Sequence, residues 1–330
     1  VSEWRQDPVT GRWVIVASER LNRPKEFSYS KGQKKDKYLG DIDNCPFCPG
    51  HEHYTPEEIL RIPKRGDWEL RVIPNKYPAL TSKPKEVVLG EHRDLFKRLP
   101  GWGHHEVIVE TREHWSGPEQ MSNEQLRKLL LLYLERYQAL SQRPGIQYVS
   151  IFHNDQSEAG ASLLHPHSQI IAMNQRPPVI MAEIDGYNRY LRKTGRCVYC
   201  DVLGAEQESE RLIYEGEHFS VFAPFASFIP YEMWIVPHSH KERFDLSFEE
   251  TEDLANVLGK TLSMMAKVLD SPPYNYFIHT SPRDEDDFHW HMEIYPRLGA
   301  AAGFELSTGI NINVISPEMV ARLIKRHCLE

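Results

Sequence analysis

The sequence predicts an α+β fold of two similar halves, residues 1–185 and 186–330, each a mostly antiparallel sheet packed with one long helix. Three observations predict it. Short β-branched and aromatic runs bounded by turn residues recur along the chain, each half carries one long amphipathic pattern, and an ordered series of cysteines and histidines occurs twice.

The elements follow in order. In the first half RWVIVAS, LRVIPN, HEVIVET, IQYVSIFHN and HSQIIAM read as strands, and NEQLRKLLLLYLERYQALSQ reads as a helix stopped by Arg143-Pro144-Gly145. In the second half RLIYEG, FSVFAPF, MWIVPHS, NYFIHTS and HMEIYPR are strands, and SFEETEDLANVLGKTLSMMAKVLD is the helix. The segment 28–43, rich in Lys, Gly and Asp, reads as a mobile surface loop, and 79–103 as an insertion.

Composition narrows the function classes. A net charge of −8 disfavours sequence-independent nucleic-acid binding, which needs a positive surface field. No apolar run is long enough to span a bilayer, and the first residues lack the pattern of a secretory signal, so a cytoplasmic protein without membrane contact is expected.

Four of the five cysteines form two Cys-x-x-Cys pairs, Cys45 with Cys48 and Cys197 with Cys200. Turn residues flank both pairs, which suits a knuckle aiming two thiolates at one ion better than a redox motif at a strand–helix junction. Each pair is followed by one histidine and then by a His-x-His strand: His114 and His165 in the first half, His240 and His289 in the second. His165-Pro-His167-Ser-Gln169-Ile corresponds position by position to His289-Trp-His291-Met-Glu293-Ile. Two structural Cys2His2 zinc sites are therefore expected, with closed ligand sets.

Residues two apart on a strand share a face, so His165, His167 and Gln169 line up together. With His165 fixed by metal, His167 is held yet free to act as nucleophile or base. Gln169 can orient an oxygen but cannot deliver a proton as an imidazolium would.

HPHSQ after Asn154 and Ser162, the CPFC knuckle, RLNRP and the repeated halves resemble the galactose-1-phosphate uridylyltransferase family, the transferase branch of the histidine triad superfamily. The resemblance runs over nearly the whole chain. It implies duplicated histidine-triad-like halves and a double displacement in which His167 takes the nucleotide from UDP-glucose and passes it to galactose 1-phosphate. Hydrolases of the superfamily carry a third histidine where Gln169 stands here. Arg20 and Arg23 match phosphate-contacting arginines, Asn75 a nucleotide-contacting asparagine, and Asn154 and Ser162 residues that hold the α-phosphate. A homodimer with a shared pocket is also implied, and Gly303, Phe304 and Glu305 are candidates for sugar-phosphate contacts.

Two departures from the family pattern bear on specificity. Some members place a second metal on a glutamate and three histidines, a set that maps near Glu183, His279, His291 and the position of Glu293, where the substitution is expected to break it. The second Cys2His2 set resembles instead a branch that includes ADP-glucose phosphorylase-like members, so base and acceptor stay open between the two activities. Glu293 in place of a glutamine would repel a phosphate oxygen, so the second copy is expected to be structural. A zinc-stabilised nucleic-acid-binding or scaffold protein is the reading from another class; the acidic balance and the polar His167 and Gln169 face oppose it.

Overall fold

A computed structural model of the chain describes residues 2–22, 42–84, 95–114, 116–285 and 288–326. Most of the expected loop at 28–43, Arg23, and part of the insertion at 79–103 lie outside the described residues.

Strands β1 (Glu3–Gln6) and β2 (Trp13–Val16) form an antiparallel hairpin. The first half of the large sheet then contributes β3 (Leu60–Ile62), β4 (Leu70–Pro74), β5 (Gly103–Val109), β6 (Tyr148–Asp155) and β7 (His167–Met173), with helix α1 (Asn123–Ser141) between β5 and β6. Helices α2 (Pro178–Thr194) and α3 (Val198–Gln207) lead to the second half. There β8 (Leu212–Glu215), β9 (Phe219–Phe222) and β10 (Met233–Pro237) precede helix α4 (Phe248–Leu269), which is followed by β11 (Tyr274–His279) and β12 (His291–Pro296). The chain continues through α5 (Gly303–Thr308), β13 (Asn311–Asn313), which pairs in parallel with β2, and α6 (Pro317–Arg326).

The two sheets expected are instead one: they join edge to edge, through the pairing of β6 with β11, in a ten-stranded antiparallel sheet of order β3-β4-β5-β7-β6-β11-β12-β10-β9-β8. Read inward from either edge, both halves have the same order of strands, so the duplication in the sequence is a duplication of topology. The seam is β6 against β11, with Asn275 opposite Asn154 and Phe277 opposite Phe152. Helix α2 crosses the expected division at residues 185 and 186.

Both long helices lie on the same sheet face. Ser122 caps α1 through its hydroxyl, and Ser247 and Glu250 form a reciprocal capping box on α4, satisfying backbone N–H groups that a helix start leaves open. Leu126, Leu129, Leu130 and Tyr133 of α1, and Leu254, Leu258, Leu262 and Met265 of α4, form one core with Ile170, Ala172, Met292 and Ile294 from the sheet. A Cβ on Gly259 would stand 2.8 Å from Leu126 Cδ1, so the absence of a side chain there gives the Leu126 methyl its place between the helices. Strand alternation then turns His167, Gln169, His291 and Glu293 to the opposite face.

Candidate functional site

The first cysteine pair sits in a tight turn after the short helix Ile42–Asn44, where Cys48 N–H donates to the Cys45 carbonyl at 3.3 Å. His114 follows β5 and His165 precedes β7, so the ends of two neighbouring strands bring both imidazoles to the knuckle. Cys48 Sγ lies 3.2 Å from His114 Nδ1 and 3.6 Å from His165 Nδ1, and Cys45 Sγ lies 3.7 Å from His165 Nδ1. His165 Nε2–H donates to the Thr111 carbonyl at 2.8 Å, which leaves its Nδ1 lone pair facing the thiols. Burial, followed by the neighbouring Cys45, pushes the Cys48 thiol up to about 12, and burial holds His165 down at about 4. Two buried sulfurs this close ionise together only around a cation, and two neutral imidazoles complete the shell. The set can hold a metal ion with sulfur and nitrogen preference.

The second cluster repeats the design. Cys197 caps α3, Cys200 Sγ lies 3.5 Å from both His240 Nδ1 and His289 Nδ1, and His289 Nε2–H donates to the Pro237 carbonyl at 3.0 Å. It is more open to solvent on its His240 side.

His167 stands next on β7. Its Nδ1–H donates to the His165 carbonyl at 2.8 Å, so the neutral ring carries its lone pair on Nε2. Burial lowers its pKa and keeps it in that form. Phe47, between the two cysteines, packs edge-on against the ring at 5.3 Å. Among the described residues no hydrogen bond engages His167 Nε2.

Gln169 lies beside His167 on the same face, and its Oε1 accepts from His105 Nε2–H at 2.8 Å and from Asn75 Nδ2 at 3.4 Å. Pairing of His153 with Ser168 puts Asn154 on the other flank of His167, where Asn275 Nδ2 donates to its Oδ1 at 2.8 Å. His167, Gln169, Asn75 and Asn154 are thus brought together. A cavity of about 690 Å³ opens on this face across the seam, with Asn154 and Phe152 in one wall and Arg12, Arg176 and Arg297 in others. Ser162 is exposed in the approach to β7, and Arg20 is exposed in the short helix Ser18–Asn22 after β2. Gly303, Phe304 and Glu305 lie in α5, beside β13 of the small sheet, rather than beside β7.

Behind β7, on the core face, Glu110 is fully buried and pairs with His153 at 3.0 Å, with Ser168 and Tyr133 hydrogen-bonded to it and Tyr276 bonded to Tyr133. Burial opposes charge on both members of the pair. Each nevertheless holds the other charged, with Glu110 below and His153 above its ordinary value.

The second copy differs at the position that corresponds to His167. His291 repeats the donation from Nδ1, to the His289 carbonyl at 3.1 Å, but its Nε2 faces Glu293 at 3.3 Å and Trp234 stacks on its ring at 4.9 Å. Glu293 does not break the glutamate–histidine set as expected. Its carboxylate reaches where another ligand would, and Glu183, His279, His291 and Glu293 offer four donor atoms within 4.8 Å of one another, a group that can hold a metal. Burial disfavours charge on His279, yet Glu183 and Glu293 outweigh it and raise the imidazole to about 9.

Comparison with known proteins places the chain in a family. The family described as galactose-1-phosphate uridyl transferase, N-terminal domain, matches residues 1–177, and a domain of unknown function, DUF4921, matches residues 102–329. The chain is 35% identical to an ADP-glucose phosphorylase of Arabidopsis thaliana, over 98% of this chain and 92% of that one. It is 32% identical to a galactose-1-phosphate uridylyltransferase of Thermotoga maritima, over 98% of both. The chain belongs to the galactose-1-phosphate uridylyltransferase family. Within that family of nucleotidyltransferases, the crystal structure of the Arabidopsis thaliana ADP-glucose phosphorylase with bound ADP-glucose superposes with a TM-score of 0.85 at 34% identity, covering 98% of each chain. Other members of the same family are uridylyltransferases, so membership fixes the class of enzyme and leaves base and acceptor open.

Two residues of the site escaped the sequence reading. His105 shares a face with Val107 and Val109 on β5, and Asn275 shares one with Phe277 and His279 on β11. Strand alternation carried both signals, but which strands would become neighbours was not visible.

Proposed function

We propose that this chain transfers a nucleotidyl group from a nucleotide sugar to a second phosphate acceptor by double displacement at His167. The observation that carries the reading is the His167 ring: its Nδ1–H is tied to the His165 carbonyl, which leaves the lone pair on Nε2, and Gln169 and Asn154 are its neighbours on the same sheet face. Nε2 attacks the α-phosphorus, the P–N bond forms as the bond to the sugar-phosphate oxygen breaks, and hexose 1-phosphate leaves. The acceptor phosphate then attacks the same phosphorus and frees His167. Gln169 and Asn154 donate N–H groups to the non-bridging oxygens as charge develops, with Ser162, Arg20 and Arg23 completing the phosphate contacts and Asn75 the nucleotide contact. Gln169 supplies no acid or base to activate water, which favours a long-lived intermediate.

The motif HPHSQ points first to UDP-glucose as donor and galactose 1-phosphate as acceptor, with release of glucose 1-phosphate and UDP-galactose. The likeness to the Arabidopsis protein, together with the second Cys2His2 set, favours a second version: ADP-glucose as donor and inorganic phosphate as acceptor. In either version Cys45, Cys48, His114 and His165, and Cys197, Cys200, His240 and His289, hold zinc, which supplies rigidity through closed four-ligand shells. Gly303, Phe304 and Glu305 reach the sugar phosphate of a partner subunit in a cytoplasmic homodimer.

Intact mass after exposure to UDP-glucose and, separately, ADP-glucose at neutral to alkaline pH tests the reading, with His167→Gly as control. A uridylyl or adenylyl adduct absent from the variant supports it and names the base. No adduct from either sugar, in protein retaining its metal, overturns it.

A further inference from the structure

An amide side chain presents either a donor or an acceptor, and the two differ by a half-turn about its last bond. Beside a phosphoryl group the difference decides between attraction and repulsion. Gln169 and Asn154 both flank His167, and in both the oxygen is tied from behind. The ties have a fixed polarity. Ala79 N–H donates to His105 Nδ1 at 3.1 Å, and a backbone N–H is always a donor, so the neutral ring carries its proton on Nε2. That proton faces Gln169 Oε1 at 2.8 Å. Asn75 Nδ2 also approaches His105 Nε2, at 3.1 Å, but finds no lone pair there; its Oδ1 accepts from Tyr77 N–H at 2.8 Å, which turns Nδ2 toward Gln169 Oε1 instead.

The second tie comes from the other half of the chain. Asn275 Nδ2 donates to the Ala159 carbonyl at 2.8 Å, and a carbonyl is always an acceptor, so this atom is the nitrogen. It also donates to Asn154 Oδ1 at 2.8 Å across the β6–β11 seam. Among the described residues no hydrogen bond engages Gln169 Nε2 or Asn154 Nδ2.

We propose that His105 and Asn275 are positioning residues that lock the amides of Gln169 and Asn154, so that both present N–H groups to the transferring phosphoryl group on His167. The proposal rests on the nucleotidyl-transfer reading above. It gives the second half of the chain a part in chemistry that takes place on the first.

The experiment is the single-turnover rate of nucleotidyl-adduct formation, followed by intact mass with UDP-glucose and with ADP-glucose at saturating concentration. His105→Leu removes one donor, His105→Gln keeps an amide donor, and Asn275→Asp replaces the second donor by an acceptor that draws Asn154 Nδ2 away. His105→Leu and Asn275→Asp are each expected to slow the adduct about 10-fold or more with little change in apparent substrate affinity, since an amide free to turn stabilises the transition state only part of the time. His105→Gln recovers most of the rate. In a Gln169→Ala background His105→Leu has no further effect, and in an Asn154→Ala background Asn275→Asp has none. Undiminished rates in both single variants, or equal losses in the alanine backgrounds, overturn the proposal while leaving the transfer reading intact. Absence of any adduct in the unaltered protein overturns both.

Discussion

The carbonyl of His165 receives the Nδ1–H of His167 at 2.8 Å, so a residue of the first Cys2His2 cluster sets the tautomer of the His167 imidazole through one backbone bond. The same bond joins His289 and His291 at 3.1 Å in the second half. The cluster able to hold a metal and the His167 ring are thus one unit, and the behaviour of the ring should follow the occupancy of the cluster.

Removing a ligand tests that coupling. Cys48→Ala should lose the metal of the first cluster and slow adduct formation about 100-fold, because His165 no longer fixes the strand and small misplacements of a nucleophile are costly. Cys200→Ala should lose the second metal and lower the thermal midpoint with a smaller effect on rate. Metal analysis beside the intact-mass assay separates the two.

Phe47 makes the coupling visible without removal of a ligand. Its ring packs against both His165, at 6.0 Å, and His167, at 5.3 Å. Phe47→Ala should keep its metal content but lose stability on the order of 3 kcal/mol, in the range for a buried phenylalanine. The adduct rate should fall with it, as the ring gains freedom to tilt.

The buried Glu110–His153 pair gives a pH signature. Glu110 lies below its ordinary 4.5, so its contribution is present above that value and is lost as pH falls through the lowered pKa. His153 lies above its ordinary 6.5, so its contribution is full below 6.5 and is lost as pH rises through the raised pKa. Stability from the pair should peak between those two values. Urea unfolding across pH should show the alkaline decline in the unaltered protein, and Glu110→Gln should flatten it.

A second buried pair acts on stability alone. Arg136 on α1 holds both Glu106 oxygens at 2.8 Å, beneath the middle of β5. Glu106→Ala strands the guanidinium and should cost about 3 to 5 kcal/mol, whereas Glu106→Leu with Arg136→Met should cost far less. Unfolding midpoints in urea decide it.

Much of this site was legible in the sequence because its groups announce themselves by spacing. The strand His167–Met173 begins and ends where the pattern HSQIIAM places it, and both Cys2His2 sets assemble from the residues the repeat picks out. What stayed hidden depended on which strands lie side by side. His105 reaches Gln169 because β5 pairs with β7, and Asn275 reaches Asn154 because β6 pairs with β11; periodicity within one strand contains neither fact. Helix α2 stayed hidden because it starts at Pro178, directly after Pro177, and a proline pair reads locally as a loop although proline suits the first turn of a helix. Glu293 was misjudged for a related reason. Its charge was readable, but the protonated His279 that accommodates it was not.

The seam also limits how this chain can be divided. Cut near residue 185, the first half would keep its knuckle and His167 but leave β6 without the partner strand that now pairs along Ile151–Asp155, an open sheet edge. Such an edge is a template for aggregation. The shelter closest to the one it has lost is a second copy of the same fragment, paired edge to edge, and that would rebuild a ten-stranded sheet from two identical pieces. The chain is built as a pair of modules fused into one, in which one member leaves the Nε2 of its histidine open and the other turns the Nε2 of His291 onto Glu293 and closes its neighbour's edge.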